Sequence, residues 1–186
     1  MIDITRATAI LGWMSDRELA WLADRARQSR CIVEIGSYQG RSTRALADHT
    51  SGVVYAVDPW IPQPNMGEYG FTDTTYPSFE AHLGDHLATG RVRAMPTTFE
   101  AALADLRREL RGSAPDLIFI DGDHEGASVW RDIDLALELL MVAEAPAVLA
   151  GHDYGSEWWP DVKTVVDRRF GSVAQFCDSI WWVTLP

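Results

Sequence analysis

The sequence predicts an α/β fold, a mostly parallel β-sheet with helices on both faces, and two observations carry that expectation. First, short apolar runs rich in branched residues, CIVEIG (31–36), VVYAVDPW (53–60), DLIFIDGDH (116–124) and AVLAGHDY (147–154), alternate with segments of helical period. Strands apolar on both sides are those that helices cover on both sides. Second, these runs end in glycines or ionisable groups, and open parallel sheets bind ligands at the carboxyl ends of their strands.

The elements follow in chain order. Ser15 and Glu18 have the spacing of a capping box, and Leu19, Leu22, Ala23 and Ala26 recur at helical period, which predicts a helix over 16–28. The strand 31–36 leads into a helix over GRSTRALADHT, and 53–60 forms the second strand. Residues 61–78, with three prolines and no period, predict a long loop acting as a lid or acceptor-binding segment. FEAHLGDHLA resumes a helix, VRAMPTT (92–98) is a third strand, and FEAALADLRRELRG a helix stopped at Gly112. After the strand 116–124 come a helix over about 126–141, the strand 147–154 and a helix opening at Pro160. SVAQFCD and SIWWVTL close the chain as two strands joined at Asp178 and Ser179.

At 186 residues the chain is expected to form one domain, 1–186. A formal charge of −11 disfavours nucleic acid as partner and suits a small neutral or cationic ligand. Cys31 and Cys177 lie in apolar runs, which points to a reducing cytoplasm rather than a disulfide framework. No run approaches the roughly 20 apolar residues that span a bilayer, so no membrane partner is expected. Exposed tryptophans are compatible with a homo-oligomer.

In VEIGSYQGRST (33–43), Gly36 and Gly40 allow a tight turn and close approach to a ligand. The loop misses the dinucleotide fingerprint, and Glu34, just ahead of Gly36, would repel a pyrophosphate and welcome an amine or other cation. Asp58 ends the second strand 22 residues after Gly36, where a carboxylate can accept from both ribose hydroxyls. Together they specify a nucleoside without a diphosphate, and S-adenosylmethionine fits. The competing reading has Glu34 capping the next helix and Asp58 starting a turn at Pro59.

These motifs, VEIGSYQGRST followed by VYAVDPW, IDGDH and GHDY, resemble the class I S-adenosylmethionine-dependent methyltransferases. Within them the chain is similar to the small-molecule O-methyltransferase branch that includes macrocin O-methyltransferase and cephalosporin hydroxylase-like proteins. The resemblance runs from about Gly12 to the C-terminus. It implies a Rossmann-like sheet of seven strands in the order 3-2-1-4-5-7-6 with the last strand antiparallel, and the closing pair SVAQFCD and SIWWVTL supplies that feature independently. It also implies a donor site made by Glu34, Gly36, Ser37, Tyr38, Gly40, Ser42, Thr43, Asp58, Pro59, Trp60 and Asp121. MPTTFEAA holds the place of a family loop near the adenine, so Thr97 or Thr98 could reach that ring, although the family glycine is Pro96 here and both threonines could equally cap the next helix.

Asp121, Asp123, His124, His152 and Asp153 gather carboxylates and imidazoles on two successive strand ends, a composition that suits Mg²⁺ or Mn²⁺. Such a cation would lower the pKa of an acceptor hydroxyl. By resemblance Asp121 and Asp153 are metal ligands and His124 is the general base, with Asp121 also catalytic. His152 stands where some relatives have an acidic ligand, so binding metal, binding substrate and orienting Asp153 all remain open for it. A metal-free Asp/His network holding two loops is the competing reading. Trp60, Tyr69, Phe71, Tyr76, Trp158 and Trp159 are expected along an acceptor pocket, Trp181 and Trp182 in the core or an interface, and His49, His82 and His86 in ordinary structural roles. The expected function is methyl transfer from S-adenosylmethionine to a hydroxyl of a sugar or other natural product. The alternatives are a related hydroxylase-like enzyme and a non-catalytic cofactor-binding module.

Overall fold

The computed structural model describes residues 2–62, 72–171 and 174–186. Seven strands, β1 (Cys31–Ile35), β2 (Val53–Val57), β3 (Val92–Met95), β4 (Leu117–Ile120), β5 (Ala147–Gly151), β6 (Gln175–Cys177) and β7 (Ile180–Leu185), form one sheet in the order β3-β2-β1-β4-β5-β7-β6. The first five pair in parallel, and β7 runs antiparallel to both β5 and β6. The expected order and the reversed strand are therefore both observed.

Side-chain alternation along each strand divides the core in two. Ile32, Val54, Leu117 and Phe119 face a layer made by α1 (Thr5–Thr8), α2 (Asp16–Gln28), α3 (Arg41–His49) and α4 (Thr75–Thr89). Val33, Ile35, Ile118 and Ile120 face α5 (Phe99–Leu110), α6 (Gly126–Leu140) and α7 (Pro160–Phe170). Glu34 shares the parity of Ile32, so β1 sends its one carboxylate toward α3. The Ser15–Glu18 capping box is formed, with reciprocal bonds of 3.2 and 2.8 Å. Among the described residues no helix is long and apolar enough to cross a membrane.

Two expectations need correction. The strands β2, β3, β4 and β5 stop three to four residues earlier than the runs that predict them, because the polar residues beyond them serve loops rather than the ladder. The expected loop 61–78 ends sooner, since α4 begins at Thr75 with Pro77 in its first turn, where a missing N–H costs nothing. Residues 63–71 of that loop, with Tyr69 and Phe71, lie outside the described residues. The short α1 has no signal in the sequence.

Two glycines set how closely strand ends approach. Gly151 pairs with Trp181, and a Cβ there would lie 2.7 Å from the indole, so only glycine lets that ring cross the end of β5. Gly36 follows β1 with φ +84°, and a Cβ on it would stand 1.9 Å from the carbonyl oxygen of Asp121. Gly36→Ala therefore combines left-handed strain with a backbone clash and should cost at least about 3 kcal/mol. Gly90→Ala, at φ +72° in open space, should cost only about 1–2 kcal/mol. Urea unfolding of the two variants measures the difference, and equal losses would mean that the Gly36 approach is not tight.

Candidate active site

Beyond β1 the chain turns through Gly36–Gly40 into α3, and Glu34 organises this turn from below. Its carboxylate is fully buried; Oε2 accepts from the hydroxyls of Ser37 (2.7 Å) and Thr43, while Oε1 is buried without an aligned hydrogen bond. Burial pushes the Glu34 pKa up to about 7, against the hydrogen bonds of Ser37, Ser42 and Thr43, which lower it. Gly40, with φ +93°, is the N-cap of α3 and gives the helix no side-chain cap. Glu34 thus does more than cap a helix: it presents a buried, unsatisfied acceptor beside the glycine loop.

Asp58 has a task besides the one expected. Its Oδ2 accepts from the backbone N–H of Ser37 and Tyr38, both at 3.0 Å, and its Oδ1 from that of Trp60 at 2.7 Å. A carboxylate has about four acceptor positions, so these three bonds leave room for at most one ribose hydroxyl, not two. Asp58 is first the anchor of the glycine loop, and burial raises its pKa despite those donors. Trp60, expected at the rim, is buried instead: its ring packs at a tilt against Tyr76 and Phe79 and its Nε1 donates to the Tyr38 carbonyl at 2.7 Å. Tyr38 and Trp60 both adopt positive φ, backbone strain that the Asp58 bonds hold in place. Pro59 is exposed between them. Thr98 accepts from the Ala101 N–H at 3.4 Å and caps α5, the alternative its position allowed, while Thr97 is half-buried at the end of β3.

Across Gly36, the ends of β4 and β5 bring four expected residues together. Ligand atoms of Asp121, His152 and Asp153 lie within 4.8 Å of one another. His124 Nε2 is 2.8 Å from Asp153 Oδ2 and 3.6 Å from Asp121 Oδ1, yet it is buried without an aligned hydrogen bond. His152 Nδ1 is 3.1 Å from Asp153 Oδ2 and 3.6 Å from Asp121 Oδ1. Asp153 holds φ +60°, again a strained residue at a site. Asp123 does not join them: it accepts from the Glu125 N–H (3.1 Å) and the Ser128 hydroxyl (2.7 Å) and so fixes the start of α6.

The electrostatics of this cluster are mutual. Burial alone would lower both imidazoles, but Asp121 and Asp153 raise His124 to about 9, and Asp121, Asp153 and Glu18 raise His152 to about 11. In return, and against its own burial, Asp153 is held below the usual carboxylate range by the two histidines. Glu18, likewise against burial, is held down to about 2 by His152 and Ser179. Glu18 and Ser179 carry no signal of this role in the sequence, because one reads as a helix cap and the other as a turn residue.

The rim is aromatic on one side. Trp159 stacks on His124 with centroids 4.7 Å apart and planes at 18°, and Trp158 beside it is 86 % exposed. Trp181 is core, packed on Phe170, and Trp182 packs at a tilt against Trp21. His49, His82 and His86 are bonded to Ala45 O, Gln39 O and Asp48, as ordinary structural histidines.

The described geometry coincides with a family. The model for a methyltransferase domain matches residues 33–154, well over half of the chain, from the strand bearing Glu34 to the loop bearing Asp153. The chain belongs to this methyltransferase family. None of the curated proteins matches its sequence. Among solved structures, cofactor-bound Rv0187 from MTB is similar at 19% identity with a TM-score of 0.66, covering 98% of this chain and 86% of that one. The O-methyltransferase TomG from Streptomyces achromogenes, involved in tomaymycin synthesis and solved with SAM, is 16% identical with a TM-score of 0.65, covering 99% and 86%. The O-methyltransferase from Bacillus cereus in complex with SAH is 18% identical with a TM-score of 0.62, covering 97% and 87%. At such identities the likeness carries the fold, which is the class I methyltransferase fold.

In this methyltransferase the raised pKa of Glu34 makes stability depend on pH. The folded protein holds that proton more tightly than the unfolded chain does, so stability falls as pH rises from about 4.5 to about 7 and is then level. Glu34→Gln escapes the penalty. Its stability relative to the wild type should improve by roughly 2–3 kcal/mol between pH 5 and pH 8. Denaturant titrations of both proteins at the two pH values measure this, and a gap independent of pH would show that Glu34 is ionised throughout.

Proposed function

We propose that the protein transfers the methyl group of S-adenosylmethionine to a hydroxyl of a small molecule, assisted by a divalent cation. The reading rests on one juxtaposition: a glycine loop with a buried acceptor at Glu34 Oε1 that lacks an aligned hydrogen bond stands one close backbone contact away from the Asp121–His152–Asp153 donor set. Glu34 Oε1 fits the amine of the methionyl group, and the uncapped start of α3 fits its carboxylate. Asp58, while anchoring the loop, keeps one acceptor position for the ribose. Donors that are two carboxylates and an imidazole fit Mg²⁺ or Mn²⁺.

The acceptor oxygen attacks the methyl carbon in line with the breaking bond to sulfur; a new C–O bond forms, S-adenosylhomocysteine leaves, and the hydroxyl proton passes to His124. At neutral pH His124 is protonated by the field of Asp121 and Asp153 and cannot accept that proton. A cation held by those two carboxylates supplies two things when bound: it lowers the pKa of the acceptor hydroxyl, and it takes up the negative charge that keeps His124 protonated. The Trp159 face on His124 and exposed Trp158 suit the flat or apolar side of a sugar or other ring-bearing natural product.

The test is transfer of label from methyl-labelled donor across a panel of sugars and phenols with Mg²⁺, alongside calorimetric binding of S-adenosylhomocysteine. Label should appear on oxygen, and His124→Ala should lower turnover by about 10²–10⁴-fold with homocysteine-product binding unchanged. A wild-type protein that fails to bind S-adenosylhomocysteine, or binds it and labels no acceptor in the panel, would sink the reading.

A further inference from the structure

The hydrogen-bond chain behind His152 decides which of its nitrogens faces the acidic centre. Ser179, in the turn between β6 and β7, places its hydroxyl 2.5 Å from Glu18 Oε1 and 2.9 Å from His152 Nε2. A hydroxyl has one proton to give. Glu18 is a carboxylate and only accepts; its Oε2 serves the Ser15 N–H in the capping box, and its Oε1 also takes the Ser179 N–H at 2.9 Å. The Ser179 proton therefore points to Glu18, and the hydroxyl oxygen meets Nε2 as an acceptor. His152 Nε2 must carry hydrogen, and Glu18 Oε1, 3.3 Å away on the same side, reinforces that choice. Nδ1 faces the centre: it lies 3.1 Å from Asp153 Oδ2, a carboxylate that only accepts, so without a cation it carries hydrogen as well, and it is the nitrogen whose proton a cation beside Asp153 and Asp121 would displace.

We propose that Glu18 and Ser179 are positioning residues that hold His152 with Nε2 protonated, so that Nδ1 is the atom it offers to a divalent cation shared with Asp121 and Asp153. The inference deepens the metal reading above and rests on it. Histidine ligands are oriented in this way by acceptors on their far nitrogen. Here the acceptors arrive from α2 and the β6–β7 turn, 161 residues apart in sequence and outside every motif at the strand ends. The capping box alone uses only Oε2, so Oε1 has no task in helix formation that would explain its place.

Glu18→Gln inverts the relay: its amide can donate to Ser179, whose proton then turns to Nε2, so that Nε2 gives up its hydrogen and Nδ1 keeps the one it shares with Asp153. Mg²⁺ affinity, measured by calorimetry without donor or acceptor, should fall about 10–100-fold. Ser179→Ala should lose less, because Glu18 remains near Nε2, and Ser179→Thr should restore wild-type affinity. Nitrogen-15 spectra of the wild type should show a slowly exchanging Nε2–H, with Mg²⁺ shifting Nδ1 and leaving that proton in place. If Glu18 substitution lowers the melting temperature, the Ser179 pair and the spectra still decide. Wild-type Mg²⁺ affinity in both Glu18→Gln and Ser179→Ala, or a cation that displaces the Nε2 proton, would overturn the inference. A wild type that binds no Mg²⁺ at millimolar concentration would overturn the metal reading; the proposed lock on His152 would then stand if the Nε2–H resonance is seen and lost in Ser179→Ala, and fall if it is never seen.

Discussion

The close approach of Gly36 to the Asp121 carbonyl is the constraint on which the site depends. Parallel pairing of β1 with β4 brings their ends level, with Ile35 opposite Ile120, but pairing alone does not decide how near the following loops may come. The absence of a side chain at Gly36, at φ +84°, lets the glycine loop lie directly on the backbone of Asp121. One residue thereby belongs to two structures: its main chain supports the loop that Glu34 underlies, and its side chain enters the Asp/His centre. Any slackness at this contact would separate the two halves, and methyl transfer by direct displacement is sensitive to such misplacement.

The glycine loop in turn needs an internal tether, because Tyr38 and, after β2, Trp60 occupy backbone conformations that favour glycine. Asp58 supplies the tether through three backbone N–H bonds, and the buried Trp60 ring adds a fourth link by donating to the Tyr38 carbonyl. The arrangement places rigidity before binding: a loop already held in its strained form loses little entropy when a ligand arrives. Glu34 is the complementary case, an acceptor buried at a cost to the folded state and satisfied on one oxygen only. Cost of this kind at a ligand site is an expected trade between stability and function.

Much of this was legible in the sequence because it is local or periodic. Alternating apolar runs specify strands, the Ser15–Glu18 spacing specifies a helix start, and ionisable groups at strand ends mark the site in any parallel sheet. The strand order was legible through family resemblance, and the closing antiparallel pair through its own pattern. What escaped is what depends on the third dimension. Asp58 and Trp60 sit where a binding residue and a rim aromatic are expected, yet burial and the demand of nearby N–H groups turn both inward. Thr98 and Asp123 were captured by adjacent helix starts, a competition that short polar side chains commonly lose to the backbone. Glu18 and Ser179 could not be paired from sequence, since only the fold brings α2 beside the β6–β7 turn.

The charge arrangement at β4 and β5 links occupancy to reactivity. Three carboxylates, Asp121, Asp153 and Glu18, converge on two imidazoles, and the pairing raises both histidines while depressing Asp153 and Glu18. Protons and the proposed divalent cation would therefore compete for the same negative field. With protons in place His124 has no room to accept another; in the proposed mechanism a cation that neutralised the field would free it to act as a base. Glu18 is insulated from that exchange, because its field acts on His152 from the far side through Nε2 and Ser179. The histidine that would bind and the histidine that would accept a proton are thus distinguished by their surroundings rather than by their chemistry: Nε2 of one is committed to Ser179, and Nε2 of the other is buried beneath Trp159 with no aligned partner.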